Sequence, residues 1–139
     1  MVQTVPQLAF GILRGKQVIG SFNGGDISSD GGVLLLAEAE RRTRIIAALA
    51  ATIIDERDPA RVRHSVEALL RQRIYAIACG YEDCNDFDQL RSDPAFKLAV
   101  GRLPEGEPDL ASQPTLSRLE NSVSAGELLA MSAVLLDQF

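Results

Sequence analysis

The sequence predicts a mainly α-helical, multi-helix domain with a short β segment or hairpin at its N-terminal end. Trp is absent and aromatic residues are 5% of the chain, so the core must be built mostly from Leu, Ile, Val and Ala. Apolar residues recur at helical spacing in its later part, between Asp–Pro and Gly boundary signals. With 139 residues, the chain is one domain at most, and it is large enough to bury a core.

The N-terminal segment contains short apolar runs broken by glycine. The runs "LAFGIL" and "QVIGSF" are predicted strands joined around residues 14–17. A two-stranded hairpin alone is marginally stable in water. We therefore divide the chain into a short β segment over residues 1–24 and a helical region over residues 25–139.

Two helices are predicted after the β segment. The first runs over residues 33–42, and its leucines do not form one narrow stripe, so burial on more than one side is expected. Three side chains are candidates for its N-cap: Ser28, Ser29 and Asp30. The second helix is predicted over residues 45–54, before the charged turn "DERD".

The strongest helical pattern begins at Asp58, with Pro59 at the first helical position, and ends at Gly80. Such a helix has about six turns. Its predicted apolar face consists of Val62, Val66, Leu69, Leu70, Ile74 and Ile77.

Three further helices are predicted toward the C-terminal end. Asp93 with the following proline begins one, which ends at Gly101. Ser112 or Gln113 caps the next, and Pro114 leads it.

The last helix is predicted to begin at Ser124 and to run to about Gln138. Ser124 and Glu127 have the spacing of a capping box. No stretch of the sequence approaches the roughly 18 apolar residues of a membrane span, and the N-terminal stretch lacks the features of a signal peptide. The sequence therefore predicts a cytoplasmic protein with no membrane partner.

Charge is distributed unevenly along the chain. The net charge of −5 argues against an obvious polyanion binder. Residues 40–75 nevertheless hold eight arginines against five acids, whereas residues 82–127 hold four basic residues against ten acids. Arginine suits bidentate contacts with phosphate or carboxylate. These arginines either form salt bridges on solvated helix faces or contact nucleic acid.

No catalytic or metal-binding residue is predicted. Four acids lie close together in the sequence: Asp83, Asp86, Asp88 and Asp93. They lack the glycine and glutamate of a calcium loop, so helix caps and a solvated turn explain them better. His64 is the single histidine, and we interpret it as a hydrogen-bonded helix residue or a phosphate contact. Cys79 and Cys84 are too few for a disulfide framework.

The stretch "SQPTLSRLENS" has two interpretations. Small polar side chains near the start of a helix, followed by Arg118, are typical of helices that contact base edges in DNA. The same pattern is typical of an ordinary capped helix. In both cases Leu116 and Leu119 are expected to pack inward.

Three blocks carry a resemblance to a known family. They are "ISSDGGVLLLAEAERR", "DPARVRHSVEALLRQRIYAIACGYEDCNDFDQLRSDPAFKLAVGR" and "LASQPTLSRLENS". In this order they resemble the N-terminal region of DDE-type transposases of bacterial insertion sequences. The group they resemble is the thirteen-eighty family, which carries the transposase DDE domain of group 1. The resemblance extends from about Phe22 onward.

This resemblance implies a function in DNA transposition. In the family, an RNase H-like core carries three acids that hold two divalent metal ions. The first of these acids lies beyond the third block, so the chain is expected to end before the catalytic core. No acid here matches the family's catalytic motif, Mg²⁺ is expected only for the missing core, and no activity is expected of the chain alone.

The leading hypothesis is therefore a truncated N-terminal portion of a transposase that contributes to binding the element's terminal inverted repeats. The candidate DNA-binding residues are Arg61, Arg63, Arg71, Arg73, Gln113, Thr115, Ser117 and Arg118. One alternative is a stand-alone helical interaction module that associates with itself or with full-length transposase, which it would inhibit. Another is an inactive gene remnant.

Overall fold

An antiparallel hairpin and seven α-helices make up the part of the chain that the structure, a computed structural model, describes: residues 6–21 and 29–139. The elements are β1 (Gln7–Leu13), β2 (Lys16–Ser21), α1 (Val33–Thr43), α2 (Ile45–Ala50), α3 (Val66–Ala78), α4 (Phe87–Leu90), α5 (Pro94–Val100), α6 (Gln113–Ser122) and α7 (Ala125–Asp137). The mainly α-helical fold with a short N-terminal hairpin is confirmed.

The hairpin turns over two residues. Arg14 and Gly15 have φ values of 51° and 75°, so both central residues of the turn are left-handed, as a tight hairpin between twisted strands requires. The guanidinium of Arg14 forms an ion pair of 2.8 Å with Glu107, which links the turn to a loop of the helical region. The division proposed between residues 24 and 25 lies outside the described residues and stays a prediction.

Helix α1 begins without the predicted side-chain cap. Its N-cap is Gly32, the last residue of a 3₁₀ turn over Ser29–Gly32, and this glycine has no side chain to bond to the first turn. The cap prediction is therefore wrong for Asp30, whose carboxylate instead accepts a hydrogen bond of 2.9 Å from the hydroxyl of Tyr81. Ser28 lies outside the described residues.

The expected burial of α1 on more than one side is met only in part. Val33 and Glu40 are buried and Leu34, Leu36 and Ala37 pack against the core, but Leu35 is 58% exposed. Helix α2 ends at Ala50, four residues earlier than predicted. After it, the hydroxyl of Thr52 donates a hydrogen bond of 2.7 Å to the carbonyl oxygen of Leu49.

The predicted six-turn helix is wrong, because the chain breaks it near its start. Asp58 caps only a 3₁₀ turn over Pro59–Arg61, and Val62 then adopts an extended conformation. A new cap follows: the hydroxyl of Ser65 accepts a hydrogen bond of 3.1 Å from the backbone N–H of Ala68 and begins α3. The Asp–Pro and Ser caps therefore begin two separate elements.

Helix α3 lies at the centre of the fold and packs against α2, α5 and α6. Leu69, Gln72 and Ala76 are buried on it, whereas Ile77 of the predicted apolar face is 48% exposed. Gly80, with φ of 95°, ends the helix as predicted. The largest fully buried side chains of the described residues are Phe87, Phe96, Leu69, Leu116, Gln72 and Val33.

The C-terminal helices begin at their predicted caps. The carboxylate of Asp93 accepts a hydrogen bond of 3.0 Å from Phe96 N–H, and Gly101 ends α5 with φ of 92°. Ser112 is the N-cap residue of α6, although its side chain makes no capping hydrogen bond, and the capping box between Ser124 and Glu127 is present at the start of α7. No described helix is long and apolar enough to cross a membrane.

Candidate functional site

A cleft with a volume of about 1430 Å³ lies in the described part of the chain. Its walls come from residues 53–69, the loop before α6, one face of α6 and the start of α7. Seven arginines line it: Arg14, Arg57, Arg61, Arg63, Arg91, Arg102 and Arg118. Six carboxylates line it too: Asp55, Glu56, Asp58, Glu107, Asp109 and Glu127. The cleft thus gathers arginines from distant parts of the sequence.

Most of these charges are paired within the protein. The ion pairs are Arg14–Glu107 at 2.8 Å, Arg57–Asp55 at 2.7 Å, Arg61–Asp58 at 3.6 Å and Arg91–Asp109 at 3.6 Å. The guanidinium of Arg57 holds the pKa of the Asp55 carboxyl below its ordinary value. Three arginines of the cleft form no ion pair among residues 6–21 and 29–139: Arg63, Arg102 and Arg118. Arg102 bonds to His64 and to a backbone carbonyl oxygen, whereas Arg63 and Arg118 are exposed and keep their guanidinium groups free in this part of the chain.

His64 is half-buried in the same cleft. Its Nδ1 atom lies 2.7 Å from Nη2 of Arg102. Burial lowers the pKa of the imidazole below its ordinary value, and four guanidinium groups lower that pKa further. In order of effect, they belong to Arg102, Arg57, Arg63 and Arg91. His64 therefore lies within the electrostatic influence of four of the seven arginines of the cleft.

Two cations hold the loop that forms one wall. Arg102 donates from Nη1 to the carbonyl oxygen of Asp109. Lys97, only 3% exposed, donates from Nζ to the carbonyl oxygens of Pro104 at 2.9 Å and Glu107 at 2.8 Å. Because these hydrogen bonds end on backbone carbonyl oxygens, they hold the backbone of the loop in place. They also bring two positive charges next to it.

Helix α6 presents one face to the cleft and another to the core. Ser112, Thr115 and Arg118, spaced three residues apart, line the cleft. Leu116 is fully buried, and Leu119 is partly buried against the core. The inward packing of both leucines is confirmed.

The eight candidate DNA-binding residues fall into two groups. Four line the cleft: Arg61, Arg63, Thr115 and Arg118. The other four lie outside its lining and bond to other parts of the protein: Arg71, Arg73, Gln113 and Ser117.

The bonds of the second group connect neighbouring turns and helices. Arg71 pairs with Glu67 one turn earlier on α3. Arg73 pairs with Glu120 of α6 and donates at 2.7 Å to the carbonyl oxygen of Glu82. On α6, the amide of Gln113 donates at 2.9 Å to the hydroxyl of Ser117.

Several residues of the cleft were absent from the predicted set. Arg57 lies in the charged turn "DERD", for which the sequence pattern predicts only a polar loop. Arg91 and Arg102 come from the acidic half of the chain and reach the cleft through folding. For His64 the sequence predicts a phosphate contact or a hydrogen-bonded helix residue. It does accept a hydrogen bond, but it lies outside a helix.

The acidic residues form a separate and smaller cleft of about 380 Å³, which Asp86, Asp88 and Asp93 line. The carboxylate of Asp83 accepts a hydrogen bond of 2.9 Å from Asn85 N–H, so Asp83 and Asp93 cap turns and helices as predicted. Among the described residues, no group of three or more His, Cys, Asp or Glu side chains is placed to hold a metal ion.

Comparison with known proteins gives one match. The family described as Transposase DDE domain group 1 matches residues 10–139, which is nearly the whole chain. No curated protein and no solved structure matches.

Proposed function

Since this chain belongs to the transposase DDE domain group 1 family, we propose that its part in DNA transposition is to bind the terminal inverted repeats of an insertion sequence. In this proposal the chain is an N-terminal portion of a bacterial transposase of the thirteen-eighty family. It supplies DNA contacts, whereas the catalytic acids and their Mg²⁺ ions belong to the RNase H-like core.

One observation carries the proposal: Arg63 and Arg118 are exposed on the same cleft without acidic partners in the described part of the chain. A buried or paired arginine uses N–H donors within the protein, whereas Arg63 and Arg118 keep their guanidinium donors available for a ligand. Phosphate oxygens accept such donors in bidentate geometry. Backbone phosphates of a duplex therefore fit this pair.

Helix α6 supplies the polar groups beside these arginines. Thr115 lies one turn before Arg118 on the face that lines the cleft, and hydroxyl groups contact both phosphates and base edges. The carboxylates of the cleft oppose a polyanion, but ion pairs with Arg14, Arg57, Arg61 and Arg91 compensate four of the six. The net charge of −5 keeps the long-range attraction weak, and because each arginine–phosphate contact releases counterions, binding should weaken as salt rises.

Fluorescence anisotropy tests this proposal with a duplex of about 20 base pairs, two helical turns, that ends in the inverted repeat of the parent element. The expected result is tighter binding to this duplex than to a scrambled duplex of equal composition. The variants Arg63→Gln and Arg118→Gln should each weaken binding about tenfold and reduce the salt slope by about one.

Arg41→Gln and Arg42→Gln are the matched controls. Both arginines are exposed on α1, pair with Glu38 and lie outside the cleft, so the same loss of charge should leave the affinity unchanged. Equal affinity for the repeat and the scrambled duplex at low salt would contradict the proposal. So would unchanged binding by both cleft variants.

A second candidate function, association with another copy of the chain, is favoured by helix α7. No residue of α7 is buried, and its apolar side chains are exposed up to 77% at Leu136. Residues 128–136 contain no charge. Leu128 and Leu135, like Leu129 and Leu136, are seven residues apart, which is the spacing by which like helices pack together.

Sedimentation equilibrium tests this association. The expected result is a dimer that the double variant Leu129→Glu with Leu136→Glu converts to a monomer, because two charges cannot be buried in an apolar interface. Leu35→Glu is the control, because it places a charge at an exposed leucine of α1, outside α7. A wild-type chain that stays monomeric at every concentration would exclude this function. If the chain associates only with full-length transposase, then that protein, and not a second copy of this chain, is the partner.

A further inference from the structure

His64 lies in the cleft where four guanidinium groups converge. We infer that His64 is a protonation-coupled phosphate contact: it is neutral in the free protein and takes up one proton when a phosphate of the bound nucleic acid enters among the arginines. This inference rests on the proposed function and deepens it, because it names a contact residue and a pH dependence for the same cleft.

The bond with Arg102 determines the state of the ring. Arginine has only donors, so Nδ1 of His64, 2.7 Å from Nη2 of Arg102, must be the acceptor. A ring that accepts at Nδ1 is neutral and carries its proton on Nε2. Geometry alone therefore assigns the neutral form, with one N–H donor left over.

The surroundings of His64 keep the ring neutral in the free protein. The charged groups that act on it are Arg57, Arg63, Arg91 and Arg102, and the carboxylates of Asp55, Asp109 and Glu107 lie beside three of these arginines. The four positive groups oppose a further positive charge on the imidazole. Burial acts in the same direction.

A phosphate would reverse this balance. Its negative charge favours the imidazolium, and its oxygens can accept hydrogen bonds from Arg102 and from the newly protonated Nδ1 at once. The bond between Arg102 and Nδ1 is then replaced by two bonds to the phosphate. One proton passes from solvent to Nδ1 on binding, and the same proton returns to solvent on release.

NMR titration of the imidazole tests this inference directly, because His64 is the only histidine and its ring signals need no assignment. The titration is made on the free chain and on the chain saturated with the inverted-repeat duplex used above. The expected midpoint lies below the ordinary value of about 6.5 in the free chain and at least about one pH unit higher in the complex. An unchanged midpoint in a complex that has formed would overturn the inference.

The linked effect appears in the affinity. Because the complex binds the extra proton, affinity is highest at low pH and falls as pH rises from the free midpoint to the bound midpoint, by at most about tenfold per pH unit. The variant His64→Gln can accept from Arg102 and donate to phosphate without titrating, so its affinity should lose this pH dependence. A pH dependence that persists in His64→Gln would assign the proton to another group.

These outcomes separate the inference from the proposed function. If the duplex does not bind at any pH, the DNA-binding proposal fails and the inference fails with it. If the duplex binds with the expected dependence on Arg63 and Arg118, but the titration midpoint of His64 is the same in the complex as in the free chain, only the inference fails.

Discussion

The variant Gln72→Ala is expected to lose about 3 kcal/mol of the free energy of unfolding. Gln72 is 2% exposed on α3, and its amide makes two hydrogen bonds to one residue. Nε2 donates to the carbonyl oxygen of Ala111 at 2.7 Å, and Oε1 accepts from the N–H of Ala111 at 3.0 Å. The variant leaves both buried backbone groups unpaired and also leaves a cavity.

Thermal and urea unfolding measure this loss, which corresponds to a decrease in Tm of about 10 °C. Gln89→Ala is the matched control, because Gln89 is exposed and its substitution should change stability by less than about 0.5 kcal/mol. Gln72→Leu separates the two causes, since it fills the space but still leaves Ala111 unpaired. A loss in Gln72→Ala as small as that of the control would contradict the expectation.

The effect of Gln72→Ala should reach the cleft. Ala111 immediately precedes Ser112, the N-cap of α6, and the neighbouring Leu110 N–H donates at 2.9 Å to the carbonyl oxygen of Arg91. These backbone bonds position the helix that presents Thr115 to the cleft. Weaker DNA binding is therefore expected even under conditions where the variant remains folded.

The second large effect is expected for Glu40→Ala, also a loss of about 3 kcal/mol. Glu40 is 5% exposed at the corner between α1 and α2. Its carboxylate accepts hydrogen bonds from the N–H groups of Ile46 at 2.9 Å and Ala47 at 3.1 Å. These N–H groups belong to the first turn of α2 and have no acceptor within that helix. The N-cap residue, Arg44, makes no capping bond with its side chain. Glu40 thus caps α2 from the preceding helix.

Glu38→Ala is the control on the same helix with the same residue type. The carboxylate of Glu38 pairs with Arg41 and Arg42, and the guanidinium of Arg41 lowers its pKa to about 2. These are surface pairs with exposed arginines, so a much smaller loss of stability is expected. Equal losses in the two variants would show that the capping bonds of Glu40 contribute nothing beyond surface charge.

Local chemistry explains the successful sequence predictions. Asp93, Ser124 and Glu127 form their caps because the bonds reach backbone groups only a few residues away. Gly80 and Gly101 end their helices because each adopts a positive φ that other residues rarely adopt. The same local rules failed at Asp58, where a second cap at Ser65 competes with the first and divides one predicted helix into two elements.

The cleft, by contrast, depends on contacts between distant segments. Arg63 and Arg118 are 55 residues apart in the sequence, and both come to line one cleft only when α3 and α6 pack together. Arg71 and Arg73 are as basic as Arg63, yet their partners Glu67 and Glu120 engage them in the folded chain. No sequence pattern distinguishes a paired arginine from an unpaired one, because tertiary packing determines which acidic side chain lies next to each arginine.

The sequence by itself therefore determined the helical class, the N-terminal hairpin, most helix ends and the resemblance to transposases, since these follow from short-range bonds and from blocks of residues in order. Tertiary structure alone decided which arginines have no acidic partner. It also decided that Glu40 and Gln72 are buried and bond to the backbone of other segments, and that His64 accepts a hydrogen bond from Arg102. The physical reason is that burial and charge pairing depend on which surfaces meet, and residues far apart in the chain supply those surfaces.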